Sequence, residues 1–189
     1  VPVANDRPAP NVYPDFDYAA VACGLCTISY NRILMSKEFG SRQRFHMILT
    51  DAELESSPLL EGNVCNGCKK CADACPMGAI SKTETEEITI CGKTFTVGKI
   101  DYKKCVICQN GAVVNRFSPL SAPDRIAALC NRTCMCALEE RDALSKKFEN
   151  PFRTGEVWSI NENGVSVDHS DEQANVLGGA FSKSGKRGH

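Results

Sequence analysis

The sequence has almost no charge bias. Lys and Arg number 22 against 23 Asp and Glu, for a formal net charge of −1 and a pI near 6.4. That balance argues against nucleic-acid or membrane-surface binding driven by bulk charge. Long apolar runs are missing too: none approaches the ~18 residues that a transmembrane helix needs. The opening residues hold Pro2, Pro8 and Pro10, with no positive flank before an apolar core, and do not read as a signal peptide. There is no initiator methionine, which reads as a processed chain or as part of a longer polypeptide. The bulk composition is ordinary. With 189 residues, 42% hydrophobic and 24% charged, the chain has room for one domain and a small second one.

Cysteine is abundant, with twelve in the chain. In a small secreted protein that number would suggest disulfides, but here the cysteines fall at metal-ligand spacings, which points to thiolate ligation in a reducing cytoplasm. The centre of the pattern is Cys65-Asn66-Gly67-Cys68-Lys69-Lys70-Cys71-Ala72-Asp73-Ala74-Cys75-Pro76. This is C-x2-C-x2-C-x3-C-P, the cluster loop of bacterial-type ferredoxins. Three thiolates two residues apart wrap three corners of a [4Fe–4S] cubane. The fourth follows a short helical turn and, in two-cluster proteins, ligates the other cluster. Pro76 has no amide hydrogen and ends that turn. Zinc is the alternative, although it usually takes C-x2-C arms separated by a longer loop.

In chain order, residues 1–17 read as an extended, proline-rich lead-in. Residues 18–25 read as a helix breaking at Gly24, with Cys23 and Cys26 as two buried thiols near its end. Residues 44–50 are predicted as a strand, with His46 a structural histidine within it. Glu87–Ile90 and Thr94–Val97 alternate as a β-hairpin around Cys91-Gly92-Lys93, leaving Cys91 as a spare thiol. A helix is predicted to start at Ala122-Pro123-Asp124 and to carry Cys130, Cys134 and Leu138. Cys130 and Cys134 share a face of that helix, whereas Cys136 lies about 200° round from Cys134. Asn150 to Trp158 reads as loop, and residues 178–189 as a glycine- and lysine-rich disordered tail. A basic arm touching RNA, tRNA included, is the alternative for that tail.

One [4Fe–4S] cluster takes four thiolates and two take eight. The expected division puts Cys65, Cys68, Cys71 and Cys134 on one cluster, and Cys75, Cys105, Cys108 and Cys130 on the other. Cys136 is the substitute if Cys108 is not a ligand, and a single-cluster protein with spare thiols stays open. So does a protein in which the clusters are only structural.

Several segments together resemble a family. They are Ala19-Ala20-Val21-Ala22-Cys23-Gly24-Leu25, Glu38-Phe39-Gly40-Ser41-Arg42-Gln43-Arg44-Phe45 and Leu49-Thr50-Asp51-Ala52-Glu53-Leu54-Glu55, followed by the cysteine loop and Gly78-Ala79-Ile80. This order is similar to the epoxyqueuosine reductases and their relatives, the corrinoid-dependent reductive dehalogenases. The resemblance implies an α+β fold: the edge of a nitroreductase-like α/β domain at 1–62, then a ferredoxin-like domain with two [4Fe–4S] clusters and an inserted hairpin at 63–152. Loop and tail follow at 153–189. It also implies a cobalamin as electron acceptor, a donor such as ferredoxin or flavodoxin, and an upstream domain or partner chain that completes the redox site. Two stretches depart from the family pattern. Cys26-Thr27-Ile28-Ser29-Tyr30-Asn31-Arg32 replaces a glycine-rich segment, and Cys130-x3-Cys134-x-Cys136 is not a second C-x2-C-x3-C-P. No residue matches the family's proton donor.

Overall fold

The structure, a computed structural model, describes residues 15–115, 122–149, 158–164 and 166–168. Helix α1, Phe16–Ala22, begins where the Asp15 carboxylate accepts the Tyr18 N–H at 3.0 Å. It ends in a Schellman turn, with Gly24 N–H on Val21 C=O at 2.9 Å and Leu25 N–H on Ala20 C=O at 3.1 Å. Gly24 has φ +71°, and a Cβ there would sit 2.0 Å from the Pro58 oxygen. Conformation and space both demand glycine at this position.

The chain then dives inward. Cys26 to Asn31 are all buried, Thr27, Ser29 and Asn31 completely. Strand β1, Thr27–Ile28, pairs antiparallel with β2, Leu34–Met35. Ser29 holds the turn between them: its Oγ accepts the Ile33 N–H at 3.0 Å and lies 2.7 Å from the Ile33 carbonyl. Helix α2 is the single turn Lys70–Asp73.

Strands β3, Ile80–Ile90, and β4, Lys93–Ile100, form a long antiparallel hairpin. Its turn is the pair Cys91-Gly92, with φ +48° and +80°, as a two-residue turn with both central residues at positive φ requires. Along β4, Phe95 and Val97 are buried while Thr94 and Thr96 are exposed, the period-two alternation of a one-sided sheet. Val21 of α1 and Ile28 of β1 cover that face together with Ile90. Farther along, Gly98 N–H donates to the Tyr30 carbonyl at 2.8 Å, and Tyr30 OH donates to the Ser81 carbonyl at 2.8 Å. A Cβ on Gly98 would lie 2.6 Å from the Tyr30 ring. Gly98→Ala is therefore expected to cost about 1–3 kcal/mol, the range for overpacking a filled site. Urea unfolding of the loaded protein reads this as a lower midpoint, and an unchanged midpoint would show that the ring has room to move.

Helix α3, Tyr102–Val106, is capped by the Asp101 carboxylate on Lys103 N–H at 3.0 Å. Helix α4, Leu129–Glu140, is buried from Leu129 to Leu138 apart from the half-buried Arg132. Its Cys130, Cys134, Met135 and Leu138 share one core with Tyr30, Met35, Cys71 and Ile80. Strands β5, Trp158–Ile160, and β6, Ser166–Asp168, form a last small hairpin. The result is a mixed α and β fold with two-stranded sheets. No helix among the described residues is long and apolar enough to cross a membrane.

Five local expectations need correction. Residues 44–50 are not a strand: no neighbouring strand offers them a ladder among the described residues, and Ile48 and Leu49 stand exposed. His46 is accordingly exposed and not strand-bound. The helix expected from Ala122 starts only at Leu129. Asp124 instead exchanges backbone hydrogen bonds with Val113, both at 2.8 Å, and its side chain accepts the Ile126 N–H at 3.1 Å. Those bonds hold the backbone in an extended bridge and a turn. Trp158 lies in a strand and not in a loop. Cys23 is exposed, so of the expected buried pair only Cys26 is buried. The lead-in before Asp15 and the tail at 178–189 lie outside the described residues.

Candidate metal centre

All twelve cysteines lie outside disulfides, and eight of them gather into two groups. The first is built on the loop before α2. Gly67 and Lys69 both take positive φ, +72° and +60°, curling the loop so that Cys65, Cys68 and Cys71 face one region. Two backbone N–H groups point at the Cys65 sulfur, from Tyr30 at 3.4 Å and Gly67 at 3.5 Å. From α4, Cys134 lies within electrostatic reach of all three. Burial pushes its thiol well up, and Cys71, Cys65, Cys68 and Cys130 add to the rise in that order. Burial likewise raises Cys71, with Cys130, Cys65 and Cys68 contributing.

The second group draws on three helices and the chain beside them. Cys75 follows α2, Cys105 lies in α3, Cys108 just beyond it, and Cys130 one turn before Cys134 on α4. Together with Arg125, Ala128 and Met77 they line one cavity. The Cys75 sulfur accepts the Ala79 N–H at 3.3 Å, and the Cys108 sulfur accepts the Asn110 amide at 3.7 Å. Strand β5 fixes that amide, because Ile160 N–H donates to Asn110 Oδ1 at 2.8 Å and Asn110 Nδ2 donates to the Ile160 carbonyl at 2.7 Å. Burial pushes the Cys105 thiol up to about 11, with Arg125 pulling down and Cys75 and Cys108 pushing up. Cys130 follows the same pattern, raised by burial, lowered by Arg125, then raised by Cys75, Cys105 and Cys108.

The fourth cysteine of the sequence motif thus lines a cavity with Cys105, Cys108 and Cys130. Cys136 is buried on the same helix, within electrostatic reach of Lys70 and Arg132. Cys91 is exposed at the hairpin turn, 3.8 Å from the Tyr18 hydroxyl.

These residues fit an iron–sulfur cluster. Thiols so reluctant to ionise in a buried space give up their protons only to a compensating cation. Among the described residues no three His, Cys, Asp or Glu side chains are close enough to close on one metal ion. The thiols of the second group line a cavity, and a cubane would bring its own irons and sulfides to such a space. Amide N–H groups aimed at ligand sulfurs are a further lever on cluster potential. Sequence reasoning missed three neighbours: Arg125, Asn110 and Tyr30. None carries a local signal, since each acts through a residue distant in the chain or through a backbone group.

Residues 62–81 match the family model described as a 4Fe-4S binding domain. That segment is an iron–sulfur binding domain. In a second comparison, 72 residues of the chain are 39% identical to the tetrachloroethene reductive dehalogenase of Desulfitobacterium hafniense, covering 36% of this chain and 13% of that protein. The enzyme of the same name from Dehalobacter restrictus matches equally, at 39% over 72 residues. The match thus spans only 13% of the length of these curated relatives. No solved structure matches the chain.

Proposed function

We propose that this chain is the iron–sulfur electron-transfer module of a reductase and carries two [4Fe–4S] clusters. Cys65, Cys68, Cys71 and Cys134 would hold the first, and Cys75, Cys105, Cys108 and Cys130 the second. The observation that carries this reading is the crossing of Cys75, which leaves its own loop to stand beside Cys105, Cys108 and Cys130 around one cavity. Each cluster, when bound, takes up and releases one electron at a time. The chain's own residues place the thiolates, aim amide hydrogens at their sulfurs and keep water from α4.

Electrons would come from a small carrier such as a ferredoxin or flavodoxin in a reducing compartment such as the cytoplasm. They would leave to a corrinoid or another redox centre, in another part of a longer polypeptide or in a partner chain. The resemblance supports the corrinoid. The named relatives lean toward its dehalogenase branch, which makes an organohalide the favoured substrate class ahead of a modified nucleoside in tRNA.

Anaerobic reconstitution followed by iron and sulfide analysis tests the module. About eight of each per chain, with two interacting S = 1/2 signals after dithionite, is the expected result. About four of each would leave a single cluster with spare thiols, and zinc without sulfide would end the proposal. A cobalamin absorption band retained after anaerobic incubation would mark a complete reductase whose pocket another chain finishes.

A further inference from the structure

The two cysteine groups differ in charge. Among the described residues, both have N–H donors on their sulfurs: Tyr30, Gly67 and Ala72 at the first, Ala79 and Asn110 at the second. The second also has a buried cation in its wall. Arg125 is 6% exposed and lines the cavity with Cys75, Cys105, Cys108 and Cys130. Its Nη2 donates to the Asn31 carbonyl at 2.8 Å, and its guanidinium stands 5.7 Å from the centre of the Tyr102 ring. Both contacts fix the group in place. Its Nη1 is buried and has no hydrogen-bond partner among the described residues. Leaving a charged donor unsatisfied in a buried position is costly, and such a group is expected to have an anionic acceptor in the working protein.

The lysine beside the first group is of another kind. Lys70 acts on Cys68 but is bonded to Glu140 at 2.8 Å, with both side chains 44% exposed. Solvent and its carboxylate screen most of that charge.

We propose that Arg125 sets the potential of the second site: its Nη1 donates to sulfur there and makes this cluster the more easily reduced of the two. The proposal rests on the two-cluster reading above. Reduction adds one electron, and hence one unit of negative charge, to a site whose four thiolates already make it anionic. A fixed, desolvated cation beside it stabilises the reduced form more than the oxidised one. The electron comes from a one-electron carrier and is passed on as an electron, so no proton need move. Electrons entering at the first site would then run downhill to the second, which becomes the exit side of the module.

The test is an EPR-monitored redox titration of the reconstituted full chain with dithionite and mediators. The wild type is expected to show two midpoints. In Arg125→Met, which keeps length and apolar packing, the higher midpoint is expected to fall by at least the 59 mV that a tenfold change represents in a one-electron couple, with the lower midpoint moving less. Arg125→Lys keeps the charge and is expected to restore most of the shift. Unchanged midpoints in Arg125→Met, or an equal fall in both, would overturn the role of Arg125. Cys108→Ala gives an assignment that leaves Arg125 in place, which decides the matter if the methionine variant does not load. Loss of the higher-potential signal in that variant supports the proposal, and loss of the lower-potential one overturns it. A wild type with about four irons per chain would instead sink the two-cluster reading itself, so the two failures are distinct.

Discussion

Cys134→Ala is expected to cost the protein its first cluster, while Cys136→Ala, two residues along the same helix, keeps both. In the reconstituted Cys134 variant, iron should fall from about eight per chain toward about four. The interacting pair of EPR signals should collapse to one isolated signal. The Cys136 variant should keep about eight irons and lose only the ~1 kcal/mol or so that truncating a small buried side chain costs. The contrast follows from their neighbours. Cys134 stands among Cys71, Cys65 and Cys68, whereas Cys136 lies near Lys70 and Arg132. At about 100° per residue the two point in nearly opposite directions. If iron is lost from the Cys136 variant and retained in the Cys134 variant, the ligand set as assigned is wrong.

The second large effect is on folding. Chelation of the iron is expected to destabilise the chain by several kcal/mol, because metal-binding energy in a small domain is folding energy. For a chain of this size about 1 kcal/mol moves Tm by roughly 2–4 °C. A loss of about 5 kcal/mol would therefore lower Tm by about 10–20 °C. The core explains the size. Cys71, Cys130 and Cys134 sit inside the same apolar cluster as Tyr30, Met35, Met135 and Leu138. Emptied, that core would keep thiols packed round unfilled space. Circular dichroism melting of loaded and chelated protein under anaerobic conditions reads the difference. Equal melting temperatures would mean that the apolar contacts alone hold α4 in place.

Much of this was legible in the sequence, for reasons that are local. The C-x2-C-x2-C-x3-C-P loop states its own geometry in its spacing, and the 4Fe-4S match over residues 62–81 falls on it. The β3–β4 hairpin announced itself by alternation, and α1 by its glycine stop. Three features had longer-range causes. Residues 44–50 have strand composition, but a strand exists only with a partner, and composition does not supply one. The segment at Ala122 has helix-start chemistry, yet Val113 pairs with Asp124 first. Arg125 is the clearest case. Its bond to the Asn31 carbonyl spans 94 positions, and no local pattern marks an arginine as interior.

The placement of Cys130 and Cys134 on one helix has a further consequence. They are four residues apart, as are Cys71 and Cys75 across the loop. Under the proposed ligand division each pair would send one thiol to each cluster, so two short covalent spans would bridge the same gap. At 1.5 Å of rise per residue, the helical span between Cys130 and Cys134 is about 6 Å long and stiff. Breathing of the surrounding fold would leave the interval between the two centres nearly constant, and with it the tunnelling rate across the gap. A single residue inserted between Cys130 and Cys134 would swing one thiol by about 100° relative to the other and break that fixed interval.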